Sequence, residues 1–260
     1  MRFFKTLHLL SLDVVLGACL FQYLITAIFI PGQYPPLLVT FALALIVWTI
    51  YLVDRLIDNQ KPVDNSILHD FHLKHACKIK YLIGCNIILI SFIIIYLPIY
   101  LIIYGLGIGF LMLVYWTFLI LGFFDRFKYI KEISTAFIYT LGIFLYAILN
   151  WVEGSILVIV TIMVLFFLLA LQNIVLFTLL SKKNLGEDLT LRCVEALFIC
   201  LWMAIFYFTP ISIFLLLPFF ITFVIHLWIH YISKSKRWAW LGEVAFFSPL
   251  FYYIYAIIST

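Results

Sequence analysis

Two aspartates four residues apart, Asp54 and Asp58, close an apolar run and are followed at once by a polar, basic stretch. On a helix, four residues turn the chain by about 400° and advance it by roughly 6 Å, so both carboxylates face one way. Hard carboxylate oxygens in that arrangement suit Mg2+, which takes one or two carboxylates and completes its shell with phosphate oxygens and water. The basic stretch would complete a site for a diphosphate. Ordinary interfacial pairing of Asp54 with Arg55 or a nearby lysine accounts for the same residues. Tyr51 precedes Asp54 by three residues on the same helix face, so it is expected to line whatever cavity the acids face.

The elements that hold this pair are set by composition. Of 260 residues, 67% are hydrophobic and only 11% charged, with a mean hydropathy of +1.20, whereas soluble domains carry about 25% charged residues. Apolar runs longer than ~18 residues recur from end to end. The expected fold is an all-α integral membrane protein, a single polytopic domain over 1–260. The runs are too long, and too free of alternation, for a membrane barrel. Five cysteines show neither CxxC nor Cys/His ligand spacing and read as apolar filler. Leu16-Gly-Ala-Cys19 resembles a lipoprotein cleavage box. Asp13 interrupts the would-be signal core and the chain stays apolar to Ile30, which predicts an uncleaved first span.

Nine spans follow from apolar length and punctuation, at about 7–30, 35–57, 80–97, 99–123, 133–149, 155–181, 190–208, 211–232 and 238–257. Pro98 divides the apolar stretch 80–123, which is too long for one crossing at about 1.5 Å per residue. With the N-terminus in the cytoplasm, all 16 lysines and arginines fall on the cytoplasmic side, and the opposite side carries only Glu153. The positive-inside rule therefore predicts nine transmembrane helices with the C-terminus on the far side. The net charge of +4 belongs to this topology and to anionic lipid headgroups, and gives no sign of nucleic-acid binding. A bacterial inner membrane is the expected location, and the oligomeric state is left open.

Asp13, Asn86, Gln172, Asn173, Glu195 and Glu243 fall in the cytoplasmic halves of their spans, which predicts a polar chamber opening that way. His69, His72 and His75 suggest a short interfacial helix over the chamber mouth. His226 and His230 have i, i+4 ligand spacing but no third ligand, so interfacial packing is expected of them. Gly105, Gly107 and Gly109 lie inside a span and predict close helix packing.

In its topology and in the place of its acidic pair, the chain resembles the UbiA-type superfamily of intramembrane prenyltransferases. The family's first motif, N-D-x-x-D-x-x-x-D at the end of the second helix, aligns with Ile50-Tyr51-x-x-Asp54-x-x-x-Asp58. The last two aspartates match and the first two positions do not. The loop Arg126-Phe-Lys128-Tyr-Ile-Lys131 resembles the family's phosphate-binding loop. At the end of the sixth helix, Gly186 and Thr190 keep the family's G-x-x-x-T spacing, while Thr178 and Lys182 stand where its second motif has aspartates.

The resemblance implies a Mg2+-dependent enzyme that moves an isoprenyl group from its diphosphate to a lipophilic acceptor, in this family commonly an aromatic one. Asp54 and Asp58 would bind the metal. Lys128, Lys131 and Lys182 would contact the diphosphate, and Tyr51, Asn173 and Thr178 would line the cavity. The lysine at 182 leaves two further readings open: a UbiA-like lipid-binding or assembly protein without catalysis, and, less favoured, a small transporter. For the transporter there are no inverted-repeat halves and no paired broken helices.

Overall fold

The computed structural model describes residues 9–58, 67–126, 129–151, 155–182, 189–233 and 240–259. Lys128 lies outside them, as do the side chains of Asp58 and Lys182. Among the described residues the regular structure is all helical. The helices are α1 (Leu12–Phe29), α2 (Leu37–Asp58), α3 (Ile67–Lys74), α4 (Ala76–Ile94), α5 (Ile99–Ile120) and α6 (Ile130–Leu149). They continue with α7 (Ile156–Lys182), α8 (Leu189–Phe208), α9 (Ile213–Leu227), α10 (Trp240–Val244) and α11 (Pro249–Ser259). Nine segments among the described residues are long and apolar enough to cross a membrane, which makes this a multi-pass integral membrane protein.

Proline sets several of the boundaries. Pro98 caps α5 with an extended backbone (φ −56°, ψ 137°), so the long apolar stretch breaks where the sequence predicts. The fifth span starts earlier than expected. Tyr129 takes a left-handed conformation (φ 64°) and α6 begins at Ile130, which places Lys131 and Glu132 in its first turn instead of a loop.

The ninth span is not continuous as its apolar run suggests. It is divided into α10, a 3-10 turn over Ala245–Phe247, and α11. Pro249 has no N–H to continue the ladder, and the freed backbone is met by neighbouring hydroxyls. The Thr222 hydroxyl donates to the Ala245 carbonyl (2.9 Å) and the Ser248 hydroxyl to the Pro218 carbonyl (2.8 Å). Non-helical backbone survives at membrane depth only with such internal partners.

Helices α1 and α7 form the middle of the bundle, with 61% of their span residues buried against 17% in α4 and α5. α1 packs on α2, α6 and the broken ninth span, and α7 packs on α6, α8 and α9. Phe21 of α1 joins them, its ring centroid 4.9 Å from Phe166 of α7, 5.3 Å from Phe219 of α9 and 5.6 Å from Phe246 of the 3-10 turn. Apolar burial gains little over lipid, so tight contact of these rings supplies cohesion through dispersion. Gly17 makes the junction possible, because a Cβ there would stand 2.7 Å from Phe246 Cβ.

The glycines of α5 behave otherwise. A Cβ on Gly105, Gly107 or Gly109 would meet nothing within 4 Å, so the expected close packing is absent. α5 turns this stretch away from the bundle.

Candidate functional site

The second helix carries one continuous stripe. Leu43, Ile46, Val47, Ile50 and Tyr51 recur at helical spacing and line a cavity of about 80 Å3. Asp54 and Asp58 continue that spacing beyond the cavity wall. Pro35 and Pro36 precede α2, and the Pro36 carbonyl accepts from Val39 N–H (2.9 Å) and Thr40 N–H (3.1 Å), which starts the helix in register. Trp48, on the α1 side, donates its indole N–H to the Leu10 carbonyl (2.9 Å).

Asp54 is held from α5 and α6. The buried Tyr115 donates its hydroxyl to Asp54 Oδ1 at 3.1 Å. Thr135 lies between this pair and the backbone, 3.1 Å from the Tyr115 hydroxyl and 2.9 Å from the Lys131 carbonyl. Thr135 is also part of the cavity wall, so one hydrogen-bonded chain links the cavity to the acid beyond it.

The cavity lies among α1, α2, α5, α6, α7 and α10, and its wall is mostly apolar. Polar groups are few: Tyr51, Thr135, Tyr139, Asn173 and Glu243. Among the described residues, Asn173 Oδ1 is buried without a hydrogen-bond partner. An unsatisfied acceptor in such a place costs about 1–3 kcal/mol and is a ready partner for a ligand donor. Glu243 is only 7% exposed. Gly242 brings α10 this close, because a Cβ there would stand 2.8 Å from Asn173 Oδ1 and 3.3 Å from Phe177 Cε2.

Behind that wall the two histidines are buried in the protein, not packed at the interface. His226 Nδ1 is 3.3 Å from Gln172 Oε1 and its Nε2 is 3.0 Å from the Gly242 carbonyl. His230 Nδ1 is 2.7 Å from Glu195 Oε1, and Tyr231 donates to Glu195 Oε2 at 2.9 Å. Both contacts come from a π-helical turn, Trp228–Ser233, which continues α9. A wider turn lets two consecutive residues reach one carboxylate.

The expected site residues are therefore distributed unevenly. Tyr51 and Asn173 stand in the cavity wall. Asp54 adjoins it through Tyr115 and Thr135, and Asp58 is the last residue of α2. Lys131 lies in the first turn of α6 and Lys182 ends α7. Thr178 is outside the wall and donates to Glu132 Oε1 of α6 (3.0 Å). The six buried polar residues do not share one chamber: Asn173 and Glu243 line the cavity, while Glu195 belongs to the histidine cluster and Asn86 to α4. The histidine-bearing α3 packs on α2 and α4, and none of its described side chains lines the wall.

Tyr115, Thr135 and Tyr139 escaped the sequence reading. Thr135 stands one turn beyond Lys131, the one local signal that could have pointed to it. Among the described residues, no three His, Cys, Asp or Glu side chains converge as a metal-ligand set. No family model, curated protein or solved structure matches the chain.

Proposed function

We propose that the protein is a Mg2+-dependent intramembrane prenyltransferase of the UbiA type, acting on an isoprenyl diphosphate and a lipophilic acceptor at the cytoplasmic side of a membrane. The observation that carries this reading is the stripe on α2. Its apolar part lines the cavity, and Asp54 at its acidic end is tied to the cavity wall through Tyr115 and Thr135.

The donor set fits the metal by its chemistry. Two carboxylates one helical turn apart in the sequence match an ion that shares its shell with phosphate oxygens and water. Asp54 and Asp58 would hold it, and it would neutralise charge on the departing diphosphate. Lys128, Lys131 and Lys182 would supply fixed positive charge at the same end. The apolar wall would seat the reacting end of the isoprenyl chain and exclude water from it. The ring faces of Tyr51 and Tyr139 would face the carbon that loses its leaving group, where π density stabilises developing positive charge.

The test uses purified protein in liposomes with radiolabelled farnesyl diphosphate and a native membrane lipid extract as acceptor. Mg2+-dependent donor binding and diphosphate release are expected of the wild-type protein. Asp54→Ala is expected to lose both while still folding, with its stability lowered by no more than the ~1 kcal/mol of one hydrogen bond. Unchanged binding in that variant overturns the assignment. Donor binding without release at any Mg2+ concentration would indicate a lipid-binding protein instead.

A further inference from the structure

The metal end leaves one chemical need unmet and one set of buried groups unused. Transfer forms a bond between the acceptor and the allylic carbon, and breaks the C–O bond, whose electron pair leaves on the diphosphate. The acceptor must then shed a proton from its hydroxyl or ring carbon. We propose that Glu243 takes that proton, and that His226 and the Glu195–His230 pair pass it on to the surface. This assignment rests on the transferase reading of the cavity.

Among the described residues, Glu243 is the acidic residue of the cavity wall, and it stands on a different element from the α2 stripe. An ionisable group held in a membrane-embedded apolar wall is costly, and such groups mark function by default. Its position is built by several independent contacts. Gly242 fits against Asn173 and Phe177, Gly17 admits Phe246, Thr222 satisfies the Ala245 carbonyl of the broken span, and Ser248 ties that span to the Pro218 carbonyl of α9. A continuous ninth helix would need none of these. The titratable groups around it are Asp13 of α1, Tyr51 of α2, Tyr139 of α6 and His226 of α9. Tyr51 and Tyr139 lie within electrostatic range of both Glu243 and Asp13, and His226 touches the Gly242 carbonyl.

A proton accepted in an apolar cavity must leave before the next turnover. Imidazole and carboxylate side chains are the usual carriers. His226, fully buried, contacts the residue preceding Glu243 and lies one turn from His230 on the same helix. His230 meets Glu195 at 2.7 Å, and Glu195 in turn accepts from Tyr231, which is 49% exposed. Gln172 fixes the other nitrogen of His226, so the ring has partners on both sides.

Three variants test this in the liposome assay with farnesyl diphosphate and the native lipid extract. Glu243→Gln keeps shape and polarity but cannot take a proton. It is expected to bind donor with wild-type Mg2+ dependence and to transfer about 100-fold more slowly or worse, the usual loss for a general base. At saturating donor and Mg2+, wild-type transfer is expected to slow as pH drops and the base becomes protonated, and Glu243→Gln is expected to lack that slowing. His226→Gln and Glu195→Gln are expected to slow steady-state turnover more than the first turnover, since Glu243 still serves once. Glu243→Gln transferring as fast as an active wild-type protein overturns the assignment of the base alone. Equal slowing of first and later turnovers in the His226 and Glu195 variants overturns the relay. A wild-type protein that binds donor and never releases diphosphate overturns the transferase reading and this assignment with it.

Discussion

The two walls of the cavity are built in different ways. The α2 wall is a single helical stripe ending in acids, steadied by two hydroxyls from α5 and α6. The other wall is assembled from α7 and the broken ninth span, which α9 backs through His226 and Thr222. The first wall consists of local spacing, so its parts tolerate separate changes. The second depends on mutual fit among elements far apart in the chain. Damage there should spread. The comparison therefore predicts large losses of stability from the far wall and small, chemically specific losses from the near one.

The largest effect is expected from Glu195→Ala. It removes the carboxylate that both His230 and Tyr231 contact in a setting where Glu195 is 4% exposed. Leaving His230 and Tyr231 without that acceptor costs about 1–3 kcal/mol for each buried hydrogen bond, read as a lowered melting temperature in detergent. Glu195→Gln, which keeps an acceptor, should retain most of that stability. A melting temperature unchanged by the alanine would show that the far wall is not held by its charges. Gly17→Ala comes next. Its Cβ would meet Phe246 Cβ at 2.7 Å, and that atom is fixed to the backbone of the 3-10 turn. Overpacking of this kind costs about 1–3 kcal/mol. Because the strain falls on the segment after Glu243, transfer activity should drop further than Asp54-dependent donor binding.

The same contrast explains what the sequence made legible. Span count, the break at Pro98 and the α2 stripe each follow from periodicity or from a single residue's chemistry, and the structure has all three. The break in the ninth span was hidden, because 238–257 is apolar enough to cross and its interruption depends on hydrogen bonds exchanged with α9 through Thr222 and Ser248. His226 and His230 looked interfacial because depth along a helix is readable from sequence while the neighbouring face is not. The glycines of α5 misled for the same reason: small residues permit close approach but do not supply a partner. Thr178 shows the limit of alignment by spacing. Its hydroxyl meets Glu132, a residue thought to lie on a loop until the left-handed Tyr129 let α6 begin earlier.

The smallest effect expected is that of Tyr115→Phe, and it is the sharpest probe of the near wall. The substitution removes one hydroxyl, and with it the donor to Asp54 Oδ1 and the partner of Thr135, while the ring that packs against Phe124 stays. A single hydrogen bond contributes about 1 kcal/mol net, and Asp54 stands near the end of α2, where water can replace part of what is lost. Stability should fall by no more than that. If the hydroxyl aims the carboxylate, Mg2+-dependent donor affinity should weaken by about fivefold, the same ~1 kcal/mol expressed in binding. Thr135→Val should weaken it less, since Thr135 reaches Asp54 only through Tyr115, and the double variant should match Tyr115→Phe alone. Independent, additive losses would break the chain into two unrelated contacts. A gain in donor affinity would mean that Tyr115 competes with the metal for the carboxylate, so that the near wall restrains its acid instead of presenting it.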